Sequence, residues 1–394
     1  MARYRTAEGA PDYLLLLGDV FHSCGGLQDF NRNLLLALSH LDFRCVALLL
    51  NDDNVPSGFT PNLRLVPCGA PGGRKMSKLR LILIALFICF RQRPGCIICG
   101  HVNLLPVCEF LHSVAGVDYI VVTHGFEIWG PHAKLPARAL ANARLVLAVS
   151  RCTRQYITDR VPRAKVELIF NTVDPERFTP GPKSERLLAK HGLRGRHVLL
   201  TVGRLSSQEQ YKGHEIVFQA LPTVLQEFPN TVYVILGSGD DQKRLRAKAS
   251  ELGIEQNVVF TGFVPDSELV EYYNLCDIFV MPSKGEGFGI VYLEALACGK
   301  PVIAADQGGS LDALLDGRLG LLVKPDSATD VAAALTHLLS AKADAKLLDP
   351  EYLRGEVLRH FGPQSFQDRI AQVLRGDQSA EGSSASAAGV HSAH

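Results

Sequence analysis

The chain has 394 residues, of which 47% are hydrophobic and 21% charged, and its formal net charge is +1. That length accommodates two hydrophobic cores, the composition is that of a globular protein, and the near-neutral charge excludes nucleic acid as the main partner. The charge is uneven, with 20 Lys and Arg against 14 Asp and Glu in residues 1–178; such a front half suits an anionic membrane surface or a phosphorylated ligand, or is simply a solvated face.

Met1–Asp12 is polar and lacks the apolar segment of a secretory signal. The expectation is a reducing, cytoplasmic setting, in which the ten cysteines act mostly as small hydrophobes. Tyr13–Leu17 reads as a strand and Leu27–His40 as a helix, with Gly25-Gly26 between them. Cys45–Leu50 is the next strand. Leu79–Phe90 is nearly apolar but has only twelve residues, against the roughly 20 needed to cross a bilayer. Arg74, Lys75 and Lys78 precede it and Arg91 and Arg93 follow, so it is either a buried layer helix or a helix lying near a membrane surface. Cys96–Cys99 has CxxC spacing without a second such pair and reads as a core strand.

Tyr119–Thr123, Leu145–Val149 and Lys165–Ile169 complete the strands of the first half. Asn171–Pro182, with three prolines and a glycine, breaks the pattern as a domain boundary. Strands resume at His197–Val202, Val232–Leu236, Val258–Thr261, Ile278–Met281, Pro301–Ala304 and Gly320–Val323. Helical stretches lie between them at Glu215–Glu227, Gln242–Leu252, Asp266–Asn274 and Ile290–Ala297, with Ser327–Leu339 after the last strand. Apolar strands alternating with crossover helices predict an α/β protein with two Rossmann-like, doubly wound domains facing a cleft. Asp377–His394, rich in Ser, Ala and Gly, is expected to be disordered.

Four junctions carry candidate chemistry. Glu286-Gly287-Phe288-Gly289-Ile290 joins a strand to a helix. Such a junction offers unpaired N–H groups and the positive end of a helix dipole to an anion. Glu294 lies eight residues beyond Glu286, about 12 Å along a helix, so two carboxylates can grip hydroxyls at opposite ends of a nucleotide sugar. A capping glutamate plus a solvated one is the plain alternative. Arg204, followed by Lys212, stands just past a strand's carboxyl end, where open α/β sheets bind ligands, and an arginine fork with a lysine suits a diphosphate. Gly25-Gly26 can admit a phosphate or a sugar to main-chain N–H groups, and His124 ends a strand before Gly125. The chain holds no HExxH, no paired CxxC and no G-x-S-x-G, so neither a metal site nor a hydrolase elbow is expected.

Together with Ala148-Val149-Ser150 and Asn171–Phe178, these motifs resemble glycosyltransferase family 4, retaining enzymes of the GT-B fold, over the chain to about Leu374. The resemblance implies a first, acceptor domain at 1–175, a donor domain at 176–360, a helix at 361–376 returning to the first domain, and a tail at 377–394. Arg204 and Lys212 would hold the donor diphosphate. Glu286 would bond the transferred sugar, the backbone of Phe288, Gly289 and Ile290 would face sugar and phosphate, Glu294 would hold the ribose, and the backbone near Val264 would meet the base. Gly25 and Gly26 would lie by the phosphates and His124 by the reacting centre. Thr172 stands where the family commonly has glycine, and the Arg204-to-Lys212 loop exceeds the shortest family form.

The implied activity is transfer of a hexose from a UDP- or GDP-linked donor to a glycan or lipid-linked acceptor, without cofactor or metal, on the cytoplasmic side with peripheral contact to an anionic membrane. Two alternatives stand beside it: a sugar phosphorylase or synthase of the same fold, and a non-catalytic nucleotide-sugar-binding protein at the membrane.

Overall fold

Uninterrupted apolar runs favour strands covered on both faces, which is the parallel-sheet environment. In the computed structural model, which describes residues 10–23, 25–56, 59–71, 73–130, 133–340 and 342–376, those runs form two parallel sheets. The first joins β1 (Tyr13–Leu17), β2 (Cys45–Leu49), β3 (Leu63–Pro67), β4 (Cys96–Cys99), β5 (Tyr119–Thr123), β6 (Leu145–Ala148) and β7 (Val166–Leu168) in the order β3-β2-β1-β4-β5-β6-β7. The second joins β8 (His197–Val202), β9 (Thr231–Leu236), β10 (Val258–Gly262), β11 (Ile278–Met281), β12 (Val302–Ala305) and β13 (Leu321–Val323) in the order β10-β9-β8-β11-β12-β13. Tyr13 pairs with both Cys45 and Cys96, so β1 is central. The expected tail 377–394 lies outside the described residues.

The strand that sequence reading misses is β3. Arg64 is exposed within it and Pro67 ends it, the marks of an edge strand, which needs no continuous apolar run. The CxxC pair is a core strand: Cys96 and Cys99 are buried in β4, and burial pushes the Cys96 thiol up to about 12.

Two crossings link the domains. The helix Pro350–Phe361 packs on Ile290–Ala297 of the second domain, and the helix Pro363–Arg375 packs on Gly26–Ser39 of the first. Phe366 meets Phe30 edge-on at 5.7 Å, and the Tyr13 hydroxyl donates to the Leu374 carbonyl at 2.9 Å. The first crossing is bonded to this returning segment: Thr172 Oγ1 and Val173 N–H both donate to the Phe361 carbonyl, at 2.7 and 3.1 Å. Thr172 thus supplies a side-chain bond that a glycine there could not.

The apolar stretch after Arg74 is longer than expected, a helix of 18 residues, Arg74–Arg91. Only one side of it is core: Ser77, Leu81, Ala85, Ile88 and Cys89 are buried. Met76, Leu79, Leu83, Phe87 and Phe90, spaced by three and four residues along the opposite side, are 48–62% exposed. Phe110 and Val114 on the adjoining helix Leu105–Ala115 are exposed as well. The plain buried-helix reading therefore fails on that side. No helix among the described residues is long and apolar enough to cross a membrane.

Candidate active site

In each sheet the strand order reverses between two neighbours, β1 and β4 in the first and β8 and β11 in the second. Ligands of open α/β sheets bind outside the carboxyl ends at such points. The segments that follow β1, β8 and β11 carry most of the candidate residues, while His124 follows β5 and Val264 follows β10. Beyond β11 the chain runs through Glu286–Gly289 into the helix Ile290–Ala297, whose cap, Gly289, has φ 91°. A side chain there would be strained and would also strike the Tyr292 ring at 2.3 Å. Gly287 is glycine for another reason: a Cβ on it would lie 1.9 Å from the His124 carbonyl oxygen of the first domain. The first-domain helix at Gly26 stands farther off, since a Cβ on Gly26 would lie 3.4 Å from the Ile290 side chain. The domains therefore meet backbone to backbone at Gly287 and His124, beside the amino ends of the helices that begin at Gly26 and Ile290, and a helix amino end suits an anion.

The charged side chains converge from β8 and β11. Arg204 Nη2 donates to Glu209 Oε1 at 2.5 Å, and Lys212 Nζ lies 3.6 Å from Glu209 Oε2 and 3.6 Å from Glu286 Oε1. The side chains of Lys212, Glu209 and Glu286 are each only 14–15% exposed, whereas that of Arg204 is 81% exposed. Glu286 Oε1 is shielded from solvent and has no hydrogen-bond partner. A buried acceptor left in that state is costly unless a ligand donor completes it. The loop is long enough for Lys212 to turn back: a short 3-10 turn at Gln210–Lys212 returns it against Gly203.

Glu294 lies deeper, 5% exposed, and accepts from the Tyr273 hydroxyl at 2.5 Å. Burial first, then the Asp29 carboxylate, push its carboxyl up to about 7. Val264 is half-buried in the loop after β10, with its neighbour Phe263 72% exposed. Phe288 is buried between Phe170 and Phe361, ring centres 5.7 and 5.6 Å away, which leaves its main chain as the part free to meet a ligand.

In the first domain, burial lowers His124 to about 4, against a smaller opposing effect of its bond to the Gly100 carbonyl. A carbonyl only accepts, so His124 Nε2 carries the hydrogen in that 3.0 Å bond and Nδ1 of the neutral ring is an acceptor. His101 stacks on it with ring centres 6.0 Å apart and is likewise lowered to about 4, by burial first and then by His124. Both imidazoles are neutral at neutral pH.

Four features escape sequence reading. Glu209 sits between the two cations. Phe126 and Tyr211 stack across the cleft at 4.8 Å. Asp52, fully buried, accepts from the N–H groups of Val20, Phe21 and His22 at 2.6–3.0 Å, and so anchors the loop leading to Gly25. Arg151 of the first domain bonds Asp312 through its backbone N–H at 2.8 Å and through its side chain, and Asp316 at 2.5 Å. For Glu209 the carboxylate's place between Arg204 and Lys212 in sequence is a signal; for the others, pairs 30–165 residues apart give none.

Known protein families match both halves of the chain. The Glycosyltransferase Family 4 model matches residues 24–177 and the model for Glycosyl transferases group 1 matches residues 183–350. A GDP-mannose-dependent alpha-(1-6)-phosphatidylinositol monomannoside mannosyltransferase of Mycolicibacterium smegmatis is 35% identical over 285 residues, covering 68% of this chain and 72% of that one. A D-inositol 3-phosphate glycosyltransferase of Acidothermus cellulolyticus is 31% identical over 264 residues, 62% of this chain and 56% of that one. Among solved structures, a sucrose-phosphate synthase from Thermosynechococcus elongatus aligns with TM-score 0.73 at 21% identity over 93% of this chain and 98% of that chain. HepE of Anabaena, solved with UDP and glucose, aligns with TM-score 0.71 at 21% identity over 92% and 99%.

Proposed function

The chain belongs to glycosyltransferase family 4 and has the two-domain GT-B fold; on that premise we propose how its own residues transfer the sugar. It is an enzyme that moves a sugar from a nucleotide-sugar donor to a glycan or lipid-linked acceptor. In our reading Arg204 and Lys212 hold the donor diphosphate, with the backbone of Gly289 and Ile290 at the helix amino end completing the positive surface. Glu286 accepts hydroxyls of the transferred sugar, Glu294 accepts those of the ribose, and the backbone near Val264 borders the base. Gly25 and Gly26 close over the phosphates, and His124 borders the sugar. The observation that carries the reading is Glu286 Oε1, buried without a donor and 3.6 Å from Lys212 Nζ: an acceptor waiting for a hydroxyl beside a cation suited to a phosphate.

Charge developing on the departing diphosphate is stabilised by fixed cations and a helix end rather than by a metal. The anomeric configuration is retained, the departing phosphate oxygen taking the acceptor's proton. Residues 1–175 form the acceptor domain and 176–360 the donor domain. A hexose linked to GDP is the first donor to try, because the Mycolicibacterium smegmatis relative is GDP-mannose-dependent, with UDP-glucose as the comparison. The exposed apolar stripe of Arg74–Arg91, with Arg74, Lys75 and Lys78 at its start and Arg91 at its end, rests on an anionic membrane surface and brings a lipid-linked acceptor to the cleft.

Thermal stabilisation by GDP- and UDP-sugars identifies the donor, since a ligand at about 100 times its dissociation constant adds about 2.7 kcal/mol. Glu286→Ala should then lower transfer by more than about a hundredfold, on the scale of losing one polar transition-state contact, with an unchanged melting temperature. Turnover at the wild-type rate in the folded variant removes Glu286 from contact with the transferred sugar.

A further inference from the structure

We propose that Glu209 is an internal counter-anion of the diphosphate clamp: it bridges Arg204 and Lys212 while the clamp is empty, and it opposes the diphosphate of donor and product. The inference rests on the assignment of those two cations to the diphosphate.

Glu209 is built into place. Its N–H donates to the Ser206 carbonyl at 2.8 Å and its carbonyl accepts from Lys212 N–H at 3.3 Å, so its position is fixed by the same turn that returns Lys212. Its carboxylate is only 14% exposed and reaches both cations at once, Arg204 through Oε1 at 2.5 Å and Lys212 through Oε2 at 3.6 Å. With Glu286 on the far side of Lys212, two cations face two carboxylates, and the formal charge of the cluster is zero. A clamp with no excess positive charge is a poor trap for an anion. The Arg204 side chain is 81% exposed, and Nη2 of its guanidinium is bonded to Glu209.

When a diphosphate enters, its oxygens seek the two cations that Glu209 faces, Arg204 through the bond to Nη2 and Lys212 at 3.6 Å. The carboxylate must then give up Arg204 or stand beside a second anion, and either way it lowers affinity for whatever diphosphate is bound. Such opposition has a use. Donor and spent nucleoside diphosphate share the clamp, and release of product limits turnover in many enzymes. An anion that re-enters the clamp helps to expel the product, at the expense of tighter binding.

The test is calorimetry of GDP and UDP on the full chain, with wild type, Glu209→Gln, Glu209→Ala, Arg204→Ala and Lys212→Ala, each checked for an unchanged melting temperature. The proposal expects both Glu209 variants to bind the preferred nucleoside diphosphate about tenfold more tightly, with a lower kcat, a lower KM for the donor and stronger product inhibition. Arg204→Ala and Lys212→Ala should bind it at least tenfold more weakly. If Arg204→Ala and Lys212→Ala lose affinity while the Glu209 variants bind as wild type or more weakly, Glu209 merely orders the loop and the proposal is overturned. If Arg204→Ala and Lys212→Ala bind as wild type, the clamp assignment itself has failed. Should Glu209→Gln not fold, Glu209→Ala gives the same sign and decides alone.

Discussion

The two domains bring different materials to one cleft. The second contributes charged side chains, Arg204, Lys212, Glu209, Glu286 and Glu294, all on loops or helices that follow β8 and β11. The first contributes mostly surfaces: the His124 carbonyl against Gly287, the Gly26 helix end against Ile290, and an apolar flank far more exposed than any in its partner. In the function proposed above, the second domain grips a charged molecule of fixed shape, a task suited to a few charges at set spacings, and the first receives the acceptor. The acceptor domain's task depends on contour and on which face stays bare, and a short motif cannot carry that.

The contact that joins the two materials is the place to break the contrast hardest. Gly287→Ala would put a methyl group into the His124 carbonyl, so the domains must part or the Glu286 loop must shift. A misplacement of about 1 Å at a reacting centre can cost 10²-fold. Transfer should fall about that far while nucleoside diphosphate binding, which uses second-domain side chains, falls much less. Equal losses in both would show that the two domains are not separable in this way.

A smaller effect separates the buried from the solvated carboxylates of the donor domain. The Glu294 carboxyl is raised from 4.5 to about 7, so its protonated form is favoured in the folded state. The stability linked to that proton is present below about 4.5 and is lost as pH rises through about 7. Melting curves from pH 5 to pH 8 should therefore show wild type losing up to about 3 kcal/mol relative to Glu294→Gln. A difference that stays flat with pH would mean that Glu294 titrates normally. If the ribose is bound by the ionised form, donor KM in wild type should fall across the same interval.

The smallest change expected touches only the first domain. Replacing Arg74, Lys75 and Lys78 with Gln should weaken association with vesicles containing phosphatidylserine by roughly 10-fold or more, since each basic residue near an anionic surface contributes about 1 kcal/mol. Activity on a soluble acceptor should be unaffected. Equal association with neutral and anionic vesicles by wild type and variant alike would return the stripe to an ordinary surface.

What the sequence showed follows the same division. The positions of Arg204, Lys212, Glu286 and Glu294 after β8 and β11 were legible because each stands at a fixed offset from an apolar run, and parallel topology puts the ends of such runs on one side. The fold class was legible for the same reason, down to Cys96–Cys99 as a strand. Edge strand β3 was hidden, because Arg64 interrupts it. The exposure of Leu83 and Phe87 was hidden too: an apolar helix residue looks the same in sequence whether it meets the core or stands outside it. Asp52 and Arg151 lie with partners brought near only by folding, and a lone charged residue carries no mark of what it will meet.

The bonds from Thr172 and Val173 to the Phe361 carbonyl have a mechanical meaning. The polypeptide passes between the two lobes twice, and the passages are fastened side by side, so the junction acts as a strap of finite width rather than a single swivel. A strap permits bending about the line across it and resists twisting. Lobes that opened about such a strap would, on shutting, bring Gly287 back to the same carbonyl without a search over relative rotations.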